Sequence, residues 1–337
     1  MKSASSSNIA AEHALAMAGA HPVLLELGPR GRPAAIWDNL ASQSTYIGVG
    51  YEAEQMRAAC SHFAGVHLVN GIVVPQTMLV PGTSVTFHTT RDPLYCCVLE
   101  PSSGCAEYLD GAARKTGQLS CSPTSVDSAL QRCGVDRVDW FHVYVGGVDL
   151  RLFTSSSEHL QAHVLALDTG FDIVDLWPEP GSRLTAFDGI LARGFWLSRL
   201  SSHGFVRMRA ATLERLRQSG AAIDEGFLER WHRVSPGWLF ARFLRTIAFL
   251  AETDADRHDY VKLWSFALTD QQFGFAADVA CDYERRFGSD QVSSAMLEEV
   301  RRRFKLLPRK PPPLGFLRQM LPHPIRRRLR RLVFGDS

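Results

Sequence analysis

The chain has 337 residues, 45% hydrophobic and 21% charged, which suits a large buried core and excludes a disordered or collagen-like chain. Its net charge of +2 is unevenly placed. From Arg301 onward there are twelve Lys/Arg and one acid, leaving a body of 25 basic and 34 acidic residues, so a surface-binding tail is expected rather than a DNA-binding fold.

Seven cysteines with no CxxC pair do not make a disulfide framework, and reduced thiols in a cytoplasmic compartment are the economical expectation. The first residues lack the continuous apolar centre of a signal peptide. The most apolar later run, 238–251, is short for a membrane span and carries Arg242 and Arg245.

Residues 1–20 read as a flexible lead-in with a short helix over 10–18. A run at 23–27 then has the length of a buried strand. It ends on Glu26 beside Gly28 and Gly31, which free the backbone for a tight turn and close ligand approach. A second run, 46–51, ends on Glu52 about twenty residues later, where a carboxylate at a strand tip accepts ribose hydroxyls. Further strands are expected at 66–69, 85–89, 138–145, 164–168 and 194–198, with helical patterns at 54–63 and 126–133 between them. This alternation predicts an α/β fold with a mostly parallel sheet covered on both faces, the 85–89 piece pairing antiparallel.

After about residue 205 the pattern turns helical: 211–218, 225–231, 238–250, 260–268, 272–287 and 293–306. The organisation expected is a lead-in (1–20), an α/β domain (21–205), an all-α region (206–307) and a Pro-rich linker with a basic tail (308–337). Within the tail, 314–334 interleaves apolar residues with arginines, as in amphipathic helices that lie on anionic lipid. A solvated or partner-bound helix is the alternative.

The run from Val138 to Asp149 enters Gly146-Gly147 and sets His142, Tyr144 and Asp149 at or near the carboxyl end of the sheet, where ligands bind in open α/β folds. His142 is there a candidate general base or a packed strand histidine. His159 and His163 share a helical face but lack a third ligand, so no metal is expected. Cys96 and Cys97 have no histidine pattern that would activate a thiolate. The chain contains neither a GxSxG elbow nor a phosphate loop.

In order, these segments resemble the FkbM family of S-adenosylmethionine-dependent methyltransferases. Glu26-Leu-Gly-Pro-Arg-Gly31 is similar to that family's D-x-G-A-x-x-G turn, and Tyr51-Glu52-Ala-Glu54 to its F-E-P-(D/N). Val69-Asn70 is similar to its V-x-N, and the segment from Arg91 to Pro101 to N-P-x-C-S-S-L-x-x-P. Thr124-Ser-Val-Asp127 is similar to T-L-D, Val138 through Gly147 to V-D-F-I-K-L-D-x-Q-G, Leu165 through Phe171 to E-V-E-F, and Arg193-Gly-Phe195 to R-G-F.

The resemblance implies a Rossmann-like class I methyltransferase core binding S-adenosylmethionine through Glu26, Gly28, Gly31, Glu52 and Asn70. His142 and Tyr144 would lie nearest the chemistry. The implied reaction is O-methylation of a sugar or small hydroxylated metabolite, as in surface-polysaccharide biosynthesis, while the cysteines and the basic tail point to a cytoplasmic protein held peripherally at the inner membrane face. The departures fall at the ligand edge. K-L-D becomes His142-Val143-Tyr144, Q-G becomes Gly146-Gly147, the paired glutamates become Asp168 and Gly170, and two serines become Cys96-Cys97. They suit either an altered active site or a degenerate methyltransferase fold serving as a binding or scaffold subunit on a membrane or an active partner.

Overall fold

In the computed structural model the described residues are 4–29, 31–102, 113–173, 177, 183–205, 208–221, 223 and 235–306. The basic tail and the helix expected at 225–231 lie outside them.

Seven strands form the main sheet: β1 (Val23–Leu27), β2 (Thr45–Gly50), β3 (Gly65–Asn70), β4 (Trp140–Val143), β5 (Ala166–Asp172), β6 (Phe195–Phe205) and β7 (Ser235–Arg245). Their spatial order is 3-2-1-4-5-7-6. Pairs 1–2, 2–3, 1–4 and 4–5 are parallel, whereas β7 runs antiparallel to both β5 and β6. Two small pairs lie outside the sheet. Ile72–Val73 pairs with Pro123–Thr124, and Val85–Thr90 pairs antiparallel with Lys115–Cys121.

The helices, in chain order, are α1 (Ala4–Ala18), α2 (Val126–Arg132), α3 (Asp149–Thr154), α4 (Glu158–His163), α5 (Arg183–Leu191), α6 (Ala210–Gln218), α7 (Ile247–Glu252), α8 (Arg257–Thr269), α9 (Phe273–Phe287) and α10 (Gln291–Leu306). Ser125, Ser157, Thr246 and Asp256 each accept a backbone N–H at the start of a helix, which explains where α2, α4, α7 and α8 begin. The alternation of β1 sorts its side chains between two cores. Leu24 joins Trp37, Tyr46, Trp140 and Leu244 under α1 and α8–α10, while Leu25 and Leu27 join Ile47, Phe141 and Phe243 under α2–α5.

Two expectations are corrected. The segment 238–250 is not one helix: β7 ends at Arg245 and a short helix starts at Ile247. A strand buried between two cores needs apolar residues on both faces, so its sequence loses the period of two that identifies a strand. The C-terminal region is therefore not all-α: α6 is followed by β7 of the main sheet, and consecutive helices begin only at 247. The lead-in is also structured. Helix α1 starts at Ala4, and Ala11, Ala14 and Leu15 are fully buried against the core that includes Trp264 and Met296. Its small and polar side chains give little amphipathic signal, and burial comes from close approach to α8.

An ionic knot secures this layer below the sheet. Asp139, fully buried, accepts from the Val23 amide (2.8 Å), Lys262 Nζ (3.0 Å) and Arg137 Nε (3.1 Å), and Arg137 also pairs with Asp259 of α8. Because α1 is part of the core, Leu15→Ala is expected to lower unfolding free energy by about 2–4 kcal/mol. Urea denaturation measures this, and a change near zero would mean that the lead-in is dispensable.

Candidate functional site

The first turn and the tips of β1 and β2 frame a cavity of about 300 Å³. Its floor is Gly28, Val49 and Gly50, and Glu52 stands at its rim. Gly28 has φ +74°, and a Cβ there would lie 2.6 Å from Val145 Cγ1 and 3.0 Å from the Tyr144 carbonyl oxygen. Only glycine fits both this conformation and this approach. Phe87 and Leu119 of the small antiparallel pair, with Ile72 and Cys96, supply apolar walls, and Tyr51 stacks on Phe87 (6.1 Å, 16°). Mostly apolar walls with a few polar groups are the usual build of a small-molecule site.

Gly31 also has positive φ (+74°), but it shapes the turn without lining the cavity. Asn70 ends β3, and its Oδ1 accepts from the Glu54 amide (3.1 Å). It thereby fixes the 3₁₀ turn that follows Glu52, and it too stands outside the cavity wall. Tyr144 lines the cavity, its ring packed on Phe240 at 4.6 Å. Cys97 is buried; its Sγ donates to the Gly146 carbonyl (3.0 Å), and burial pushes its thiol up to about 12, so it is no nucleophile at neutral pH.

Glu26 and His142 belong to a different structure, a row of charged residues crossing the sheet. Register aligns Glu26 of β1 with His142 of β4, His142 with Asp168 of β5, and Asp168 with Arg242 of β7. His142 Nδ1 donates to Asp168 Oδ2 (3.1 Å), while its Nε2 faces Glu26 Oε1 at 4.0 Å. Arg242 grips Asp168 with two bonds (2.6 and 2.9 Å) and donates to Asp270 Oδ1 (2.6 Å). Trp140 Nε1 also donates to Asp168 (3.2 Å), and the Tyr46 hydroxyl donates to Glu26 Oε2 (2.7 Å).

Burial alone would lower the His142 pKa, but the hydrogen bond and charge of Asp168 outweigh it and raise it. Burial opposes the Asp168 charge, yet Arg242 and His142 hold that carboxyl well below the usual range. Burial lifts Glu26 above the usual range, partly countered by His142 and Tyr46. Asp149, pushed up to about 7 by burial, takes backbone N–H bonds from Val145, Gly146 and Gly170 and so holds the glycine turn after β4.

Compared with family models, curated proteins and solved structures, the chain matches none. Among the described residues no group of three or more His, Cys, Asp or Glu is placed to hold a metal ion. His159 and His163 stack with ring centroids 4.5 Å apart. No helix of the described residues is long and apolar enough to cross a membrane.

Of the residues singled out from sequence, the structure brings Gly28, Glu52 and Tyr144 to one cavity. Glu26 and His142 join the charge row, and Gly31 and Asn70 shape flanking turns. Sequence reading set Asp149 near the sheet edge, noted Arg242 only as a charge in an apolar run, and passed over Phe87 and Leu119. Arg242 had a signal: a lone charge in an otherwise apolar run needs a buried partner.

The His142 pKa is raised above its ordinary 6.5, so the stability it contributes is full below about 6.5 and lost as pH rises through the raised value. Wild-type urea midpoints should therefore fall as pH climbs from 6 to 9, with His142→Gln falling less over the same window. Parallel curves would contradict the charged pair. Asp168→Asn strips the charge from two buried cations and should cost about 3–5 kcal/mol, read by denaturation at pH 7.

Proposed function

We propose that the protein is an S-adenosylmethionine-dependent methyltransferase of FkbM type, acting on a hydroxyl of a sugar or similar small metabolite. The observation that carries this reading is the cavity over Gly28 with Glu52 at its rim, at the carboxyl edge of a parallel sheet. The strand order adds support. A dinucleotide-binding sheet runs 3-2-1-4-5-6; here a reversed strand enters beside the fifth, the arrangement expected of the class I methyltransferase core that the sequence resembles.

The residues fit the cofactor. Glu52 offers a carboxylate to the ribose hydroxyls, Gly28 lets the backbone approach without a Cβ, and Ile72, Val73, Phe87 and Leu119 provide apolar walls for a base. The bound cofactor supplies an electrophilic methyl group on sulfur. The chain's part is then to exclude water and align an acceptor oxygen, and such alignment can contribute several kcal/mol, on the order of 7–11 for well-oriented pairs. One departure from the family pattern is matched by its surroundings. Gly170 stands where a glutamate is expected, and a Cβ there would lie 2.7 Å from Asp149 Oδ2, so glycine makes room for a carboxylate supplied from α3.

A second reading, cofactor binding without turnover, is favoured by one observation. Both ring nitrogens of His142 face carboxylates, and a protonated imidazole so held has no lone pair for an acceptor proton. Isothermal titration of the full chain with S-adenosylmethionine separates the readings from neither being right. Micromolar binding, weakened at least tenfold in Glu52→Ala, is the expected result. No heat at millimolar cofactor would overturn both. Binding without methyl transfer to any hydroxylated acceptor offered would favour the second.

A further inference from the structure

The charge row is satisfied everywhere except at one end. Asp168 receives two donors from Arg242 and one each from His142 and Trp140, which fills the roughly four lone-pair sites of a carboxylate. Asp270 takes Arg242 and Gln272, and Glu26 takes Tyr46. Arg199 of β6 sits directly opposite Arg242. Like charges in that placement repel, and Asp168, the carboxylate that lines the cavity beside them, has no capacity left for a second guanidinium. Among the described residues the Arg199 side chain makes no hydrogen bond or ion pair.

Arg199 and Arg242 also line the same cavity, of about 160 Å³, with His142, Tyr144, Ser201 and Phe240. This cavity lies at the carboxyl end of β4, over the middle of β5, and Tyr144 lines both it and the larger one. The site thus has an exposed guanidinium, a second one behind it, a histidine flanked by carboxylates and a hydroxyl, with its only acidic wall residue fully engaged.

We infer that this second cavity is an oxyanion subsite, in which Arg199, backed by Arg242 and His142 and flanked by the Ser201 hydroxyl, receives the carboxylate or phosphate of a small molecule. The planar fork of arginine matches either group through two parallel bonds. An anion between Arg199 and Arg242 replaces their repulsion by attraction to both. The cavity accommodates one such group and not a whole sugar nucleotide, so the rest of the molecule extends past Tyr144 toward the larger cavity. That the molecule is the methyl acceptor rests on the methyltransferase reading; the anion site itself does not.

The test is a nuclear magnetic resonance titration of the ¹⁵N-labelled full chain with sodium acetate and, separately, sodium phosphate, each replacing chloride at constant ionic strength. Saturable shifts at Arg199, Ser201 and His142 are expected, with at least tenfold weaker binding in Arg199→Gln, an exposed substitution that leaves the row intact. The titrant that saturates at lower concentration identifies a carboxylate or a phosphate as the natural group. Linear, non-saturating shifts, meaning an adventitious ion only, would overturn the subsite, as would equal affinity in Arg199→Gln. Cofactor titration of the same sample keeps the two conclusions apart. Saturable anion binding without cofactor binding leaves the subsite standing and removes the methyltransferase, and the reverse result does the opposite.

Discussion

Asp168 is a carboxylate in the middle of a parallel sheet, and burying it is tolerable only because four donors converge on its two oxygens. Those donors come from β4 and β7, and Arg242 passes the connection to Asp270 at the end of α8. Register on three strands and the seating of one helix layer are therefore tied to one side chain. A slip of one residue in β7 would turn Arg242 into the opposite, apolar core and strand the carboxylate. The reversed strand is thus fixed by charge as well as by packing, and the cavities at the sheet edge inherit that precision.

The same row explains the division of the site. Histidine and glutamate near strand ends invite a catalytic reading, but cross-strand alignment binds Glu26 and His142 to each other's neighbours and away from the glycine turn. The residues left to face the larger cavity are chiefly a rim carboxylate, apolar walls and two tyrosines, Tyr51 and Tyr144. Recognition by shape and one carboxylate is what such a lining supports, with the polar chemistry moved to the adjoining space beyond Tyr144.

How much of this was legible in the sequence follows from which patterns are local. Val23–Leu27 and the glycines after it announce a strand and turn because length, apolarity and positive-φ residues are read within ten positions. The later helices announced themselves through a one-sided period, clearest in Phe273–Phe287. β7 did not, because both of its faces are buried and its alternation of Trp238, Phe240 and Arg242 with Leu239, Ala241 and Phe243 carries no polar side. α1 was legible as a helix over 10–18 but not as part of the core, because alanine and serine bury well without marking a face. At the site, Gly28 and Glu52 were legible as a motif, while Arg199, Arg242 and Phe87 meet the others only through register and a distant hairpin.

The position of β7 between β5 and β6 has a consequence for biosynthesis. β6 leaves the ribosome before the strand that joins it to the sheet exists, and synthesis through Arg245 takes seconds more at about 5–20 residues per second. During that interval β6, with Phe195, Trp196 and Leu197, has no neighbour in the growing sheet and presents an open edge. The opposite face waits longer still, since α8–α10, which cover it, follow β7 in the chain. Until α8–α10 pack over α1, a nascent chain therefore exposes an unpaired strand edge and an uncovered apolar face together, the two features that make folding intermediates prone to aggregate.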